Sequence, residues 1–233
     1  MIIVVIILTS VIQSLFGVGV LLFGTPMLLL LGYDFVYVLN ILLPISMIIN
    51  FFQLIQDREH INFEFYRSLL KYTIIPIILV LYFSVTYEIN ASLYIGLFLM
   101  FISLKSFIPT VSNIITYVFK YEKIFLIFMG TIHGMTNLGG SLLTSKVFSL
   151  NMTKICKRAT ISISYFTFAL FQITTMYFIG SLNYFSIQYL LLGLFVYTLV
   201  DKLVYRKITD NKYDSIFAIV LFISGLMLFF KGL

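Results

Sequence analysis

Between His133 and Ser145 the chain sets one histidine, one asparagine, three glycines and four hydroxyl side chains inside an otherwise apolar run, residues 125–150. Amide, hydroxyl and imidazole groups supply hydrogen bonds to the oxygens of a small anion. Glycines let such an anion approach the peptide N–H groups. A plain membrane helix has no need of this chemistry. In lipid, loosened backbone is tolerated only where it is buried in protein or lines a cavity. The stretch is therefore a tight helix contact or the wall of a polar site, and its density of polar groups points to the site.

The candidate substrate-binding residues here are Thr136, Asn137, Gly139, Gly140, Ser141 and Thr144. A degenerate copy near the N-terminus adds Gln13, Ser14, Gly17, Gly19 and Thr25. Gln53 and Gln172, from facing spans, could close the site. If glycines break the helices, half-helix N-termini present unpaired N–H groups and partial positive charge, which hold an anion without a buried cation. For each hydroxyl the competing reading is a bond to a carbonyl one turn back, or small-residue helix packing. His133 titrates near neutral pH when unperturbed. It is a candidate for proton coupling; the competing reading, a neutral ring bonded to a carbonyl, stays open. An intramembrane enzyme with Ser141 as nucleophile and His133 as base lacks an acidic orienting group, so no catalytic residue is assigned. No cofactor is expected, and two distant histidines with one cysteine make no metal cluster.

The elements that must position these groups follow from composition. Of 233 residues, 61% are hydrophobic and 10% charged, with mean hydropathy +1.08. An ordinary soluble domain is nearer a quarter charged. The apolar runs are continuous and approach the ~20 residues needed to cross a bilayer, which argues for membrane helices and against a barrel. The class is all-α, a polytopic integral membrane protein. The net charge of +6 then reflects basic loops, not a nucleic-acid partner. Cys156 reads as a reduced cytoplasmic thiol. The N-terminus has no positive flank of a signal peptide, so its first helix is expected to stay in the protein.

Residues 2–31 form a broken apolar stretch, with a kink or break expected near Pro26. Spans are expected at 36–54, 69–85, 91–109, 161–179, 184–200 and 216–230, with Lys105 snorkelling from the end of the third. Residues 110–123 read as interfacial, 154–158 as a basic loop and 201–215 as a charged loop. Eight simple crossings would split the basic loops between the two faces. If 124–150 enters and leaves by one face, all of those basic residues fall on one side, as the positive-inside rule requires. A re-entrant pair of half-helices, 124–132 and 141–150, is therefore expected, with the glycine-rich centre near the midplane.

The halves look alike. Gly19-Val-Leu-Leu precedes Gly140-Ser-Leu-Leu by 121 residues, and Phe52-Gln53 precedes Phe171-Gln172 by 119. Two repeats, 1–109 and 124–233, joined by a linker at 110–123, each hold a broken or re-entrant glycine-rich segment and three membrane helices. Three crossings per half invert the second half, the plan of many secondary transporters.

On Gly17-Val18-Gly19 with Thr25-Pro26, and on His133-Gly134-Met135-Thr136-Asn137-Leu138-Gly139-Gly140, the sequence resembles the sulfite exporter TauE/SafE family, the toluene-sulfonate uptake permeases. The plan of two similar halves covers nearly the whole chain. The fuller glycine triplet of the family is reduced here to Gly-Val-Gly and Gly-Gly-Ser. The resemblance implies a carrier for sulfite or organosulfonates by alternating access, in a bacterial cytoplasmic membrane with basic loops on the cytoplasmic side. Its partners are a small anion and the lipid bilayer, with a homo-oligomer left open. An anion channel and a non-transporting accessory subunit are the alternatives.

Overall fold

The computed structural model describes residues 1–89, 117, 120–209, 212, 213 and 216. Among the described residues every regular element is helical: α1 (Ile2–Phe16), α2 (Val20–Leu30), α3 (Phe35–Asp57), α4 (Phe63–Thr86), α5 (Glu122–Thr136), α6 (Gly140–Phe148), α7 (Lys154–Ile179) and α8 (Ile187–Leu203), with 3₁₀ turns at Arg58–His60 and Tyr205–Lys207. Four of these are long and apolar enough to cross a membrane: α3, α4, α7 and α8. The spans expected at 91–109, with Lys105, and at 216–230 lie outside the described residues apart from Ile216, as does most of 110–123.

Local signals set the helix starts. The Asp34 carboxylate accepts from Val36 N at 2.8 Å and Tyr37 N at 3.3 Å, capping α3. The Asn62 side chain accepts from Phe65 N at 3.0 Å, capping α4, and Thr153 Oγ1 from Cys156 N at 3.4 Å, capping α7. A cap satisfies N–H groups that have no partner within their own helix. Consequently α4 begins six residues and α7 seven residues before the apolar runs expected from hydropathy. The supposed basic loop 154–158 is the start of α7, and Asp201, expected in a charged loop, lies within α8.

The charges of these extensions are tolerated because they pair. Arg158, 1% exposed, sits in the second turn of α7. Its guanidinium lies 2.5 Å from Asp57 Oδ2 at the end of α3 and 2.6 Å from Asp201 Oδ1 on α8. It also donates to Ser14 O at 3.2 Å and stacks on the Tyr205 ring, 3.4 Å from its centroid. One cation thus ties together the ends of four helices. A planar five-donor group suits this task where an ammonium does not.

α3 and α7 pack on each other at the centre. α4 lies on α7 and α5; α8 lies on α3 and α1; α2 rests on α3, and α6 on α7. Exchanging α1–α4 for α5–α8 maps these pairings onto themselves. The outer faces carry large apolar side chains such as Ile75 (64% exposed), Phe178 (80%) and Phe195 (60%). So much exposed apolar surface suits a lipid environment and not water.

Candidate functional site

The first break lies at Gly17, not at Pro26, which sits inside α2. Gly17 takes the left-handed conformation, φ 75°, and its N–H closes the helix on Gln13 O at 2.8 Å. This is a glycine helix stop. The chain then doubles back. A Cβ on Gly19 would stand 2.5 Å from Thr9 O and would collide with the backbone N of Gln13. Residues ten apart along a continuing helix would be ~15 Å apart, so α2 starts beside the last turns of α1.

Gln13 fills this reversal. Its Oε1 accepts from Val20 N, the first N–H of α2, at 2.9 Å. Its Nε2 donates to Ser46 O at 3.0 Å, Ser46 Oγ at 3.1 Å and Asn50 Oδ1 at 3.2 Å, all on α3. Gln53 Nε2 donates to the terminal carbonyls of α1, Gln13 O at 2.9 Å and Ser14 O at 3.1 Å, and its Oε1 accepts from Ser162 Oγ at 2.9 Å. Ser14 Oγ donates to Tyr197 O at 3.1 Å.

The second break has the same form. Asn137 takes the left-handed conformation, φ 62°, where asparagine is among the few residues that sit readily. Its N–H donates to His133 O at 2.8 Å. A Cβ on Gly139 would stand 2.5 Å from Met129 O and 2.6 Å from His133 Cβ, and one on Gly140 would fall on the Tyr165 hydroxyl. The chain again doubles back, and α6 starts beside the end of α5. Gln13, Gly17 and Gly19 correspond to His133, Asn137 and Gly139, each 120 residues on.

The contents of the second reversal differ. His133 is fully buried, its ring centroid 4.7 Å from that of Phe168 and 5.9 Å from that of Tyr165. Neither ring nitrogen makes a hydrogen bond of good geometry among the described residues, although Gln172 lies near the ring, and Tyr165 OH and Gln172 Oε1 make none either. Gln172 Nε2 donates to Asn137 Oδ1 at 3.3 Å. Asn137 Nδ2 donates to Thr25 Oγ1 on α2 at 2.9 Å, which joins the two breaks directly.

The expected residues thus gather in two places. Gln13, Ser14, Gly17, Gly19 and Gln53 surround the first reversal, and His133, Thr136, Asn137, Gly139, Gly140, Ser141 and Gln172 the second, with Thr25 between them. His133 lies in the last turn of α5 rather than in the loop. Three hydroxyls bond back to their own chain: Thr136 Oγ1 to Ile132 O at 2.7 Å, Ser141 Oγ to Leu138 O at 3.0 Å and Thr144 Oγ1 to Gly140 O at 2.8 Å. Thr136 Oγ1 also accepts from Leu138 N at 3.1 Å, inside the break. Ser46, Asn50, Ser162 and Tyr165 were missed from the sequence. The signal for two of them was present, since Ser46 and Tyr165 stand 119 apart, as Gln53 and Gln172 do. Among the described residues no group of three His, Cys, Asp or Glu could hold a metal ion.

The bridge between the breaks makes a measurable contribution. Thr25→Val removes the one acceptor of Asn137 Nδ2 and leaves a buried amide donor unsatisfied. We expect a loss of about 1–3 kcal/mol, read as a lowered unfolding midpoint of the purified protein.

Nothing among curated proteins or solved structures matches the chain. The family model for the sulfite exporter TauE/SafE matches residues 2–228. That match takes in both reversals and all four long helices, so the chain belongs to the sulfite exporter TauE/SafE family.

Proposed function

We propose that this protein is a carrier that moves a small sulfur-containing anion, sulfite or an organosulfonate, across the bacterial cytoplasmic membrane by alternating access. The observation that carries this reading is the pair of buried chain reversals bridged by Thr25 and Asn137. Irregular backbone at membrane depth is otherwise costly. Broken helices meeting at a repeat interface are the usual substrate site of secondary transporters. The doubling back at Gly19 and Gly139 supports re-entrant segments. The pairings that survive exchange of α1–α4 with α5–α8 support two repeats, 1–109 and 124–233, with 110–123 as linker. Three crossings in each half would invert the second and bring the basic loops to the cytoplasmic side.

The substrate contacts in this reading lie among the sequence-expected residues at the two reversals. The anion is held by backbone N–H groups and neutral side chains. His133, buried in the last turn of α5 beside the second break, is the coupling residue if a proton moves with the anion.

The test is flux of radiolabelled sulfite into proteoliposomes, with and without a pH gradient, for the native chain and His133→Gln. Competition by sulfoacetate, taurine and sulfate belongs in the same assay. We expect saturable flux, driven by the gradient and flattened by the substitution. Saturable flux indifferent to the substitution removes His133 from coupling. Flux that does not saturate favours a channel. No flux of any tested anion, from folded and inserted protein, overturns the carrier.

A further inference from the structure

The two reversals share a backbone plan but differ in how far their side chains are satisfied. At the first, Gln13 is a built-in plug. Its amide reaches the start of α2 and is bonded on both of its polar atoms, and Ser46, Asn50, Gln53 and Ser162 around it are all partnered. Each of these side chains thus has at least one partner within the protein.

At the second, the residue in the Gln13 position is His133, whose nitrogens make no hydrogen bond of good geometry, the Gln172 side chain being near the ring without a well-formed bond. The residue in the Ser46 position is Tyr165, and its fully buried hydroxyl is orphaned. That hydroxyl lies against Gly140, the first residue of α6. Gly139 offers α6 no side-chain cap. The first-turn hydrogen bonds start from Ser141 N, to Leu138 O at 3.0 Å, and Leu142 N, to Gly139 O at 3.1 Å. Gly139 N and Gly140 N find no acceptor among the described residues, and neither do Gly19 N, Leu21 N and Leu22 N at the first reversal, so the two breaks differ in their side chains and not in free backbone donors. Buried polar groups are nearly always partnered, and a cluster that is not marks a place for a ligand or a water.

We propose that the carrier has one anion site, at the second reversal alone, and that Tyr165 is a substrate-binding residue in it. This rests on the carrier reading above. A small oxyanion there accepts from Gly139 N, Gly140 N, the Tyr165 hydroxyl and a His133 N–H, with Asn137 and Gln172 at its edge. The Tyr165 ring turns to admit it, because the hydroxyl occupies the approach to α6 in this structure. The first reversal, sealed by Gln13, is a structural counterpart that binds nothing.

Orphaned groups that await a ligand destabilise the empty protein, and this gives the assignment a signature. Equilibrium binding of radiolabelled sulfite to the purified protein is measured alongside its unfolding midpoint. For Tyr165→Phe we expect Kd to rise about tenfold, ~1.4 kcal/mol, while the empty protein melts about 2–4 °C higher. Ser46→Ala, at the matching position of the first reversal, should do the reverse: a lower melting temperature and an unchanged Kd. A purely structural Tyr165 would leave Kd unmoved. Native binding with equal Kd in Tyr165→Phe overturns this assignment and leaves the carrier standing. A raised Kd in both variants overturns the single site. No binding by the native chain overturns the carrier and this assignment together.

Discussion

Replacing Arg158 by leucine is expected to cost about 3–5 kcal/mol, the usual result of removing one partner from a buried ion pair. The substitution strands two carboxylates, Asp57 and Asp201, with side chains 12% and 3% exposed. Arg206 cannot replace Arg158, because its Nε is 3.7 Å from Asp201 Oδ2 and its side chain is 65% exposed. The Ser14 carbonyl would also lose a donor at the end of α1. The purified variant should unfold well below the native midpoint, or fail to accumulate in membranes. Removing the carboxylates as well, in Arg158→Met with Asp57→Leu and Asp201→Leu, should restore most of the loss. An apolar replacement of a whole buried charge cluster is often neutral or stabilising. A single variant as stable as the native chain would mean that Arg158 does not hold the four helix ends together.

Gly139→Ala should cost transport more than it costs stability. Gly139 has an ordinary helical backbone (φ −55°), so alanine brings no conformational strain. It brings a methyl group 2.5 Å from Met129 O and 2.6 Å from His133 Cβ, both fixed in α5. The start of α6 must move away from α5, and a displacement of ~1 Å in a positioned site can cost about a hundredfold in rate. Gly180→Ala is the control. Its φ of +76° makes alanine unfavourable by about 1–2 kcal/mol, yet nothing lies within 4 Å of the new methyl. Sulfite flux per inserted molecule should fall about a hundredfold in the first variant and stay near native in the second. Equal loss in both would tie flux to stability and not to the second reversal.

The sequence and the structure agree where glycine and polar residues interrupt apolar runs. The reversal at 137–139 is visible in the sequence because asparagine and glycine there have no reason to sit in lipid. Gln53 and Gln172, matched 119 residues apart in the sequence, both reach a reversal in the structure. Three things were hidden, each for a physical reason. Hydropathy ends a helix at its first charge, so Arg158 read as loop, although Asp57 and Asp201, 101 and 43 residues away, neutralise it inside the helix bundle. Pro26 looked like the stronger breaker, yet one left-handed glycine closed on Gln13 O ends α1 first. Tyr165 was lost among sixteen tyrosines, because only the position of its hydroxyl separates it from the aromatic background.

The exchanged packing of the two hairpins has a consequence for how the chain is made. Among the described helices α1 packs on α8, and Ser14 bonds a carbonyl 183 residues downstream. A ribosome releases the N-terminal hairpin first, while the surface that covers it emerges near the end. In the interval α3 shelters the polar interior of that hairpin with Ser46, Asn50 and Gln53, and α7 adds Arg158 once it emerges. The α5–α6 hairpin meets a finished α4 as soon as it appears. The α1–α2 hairpin, made before every other described helix, is therefore among the last to be completed, and a nascent chain halted before α8 carries an unfinished face on α1 into the lipid.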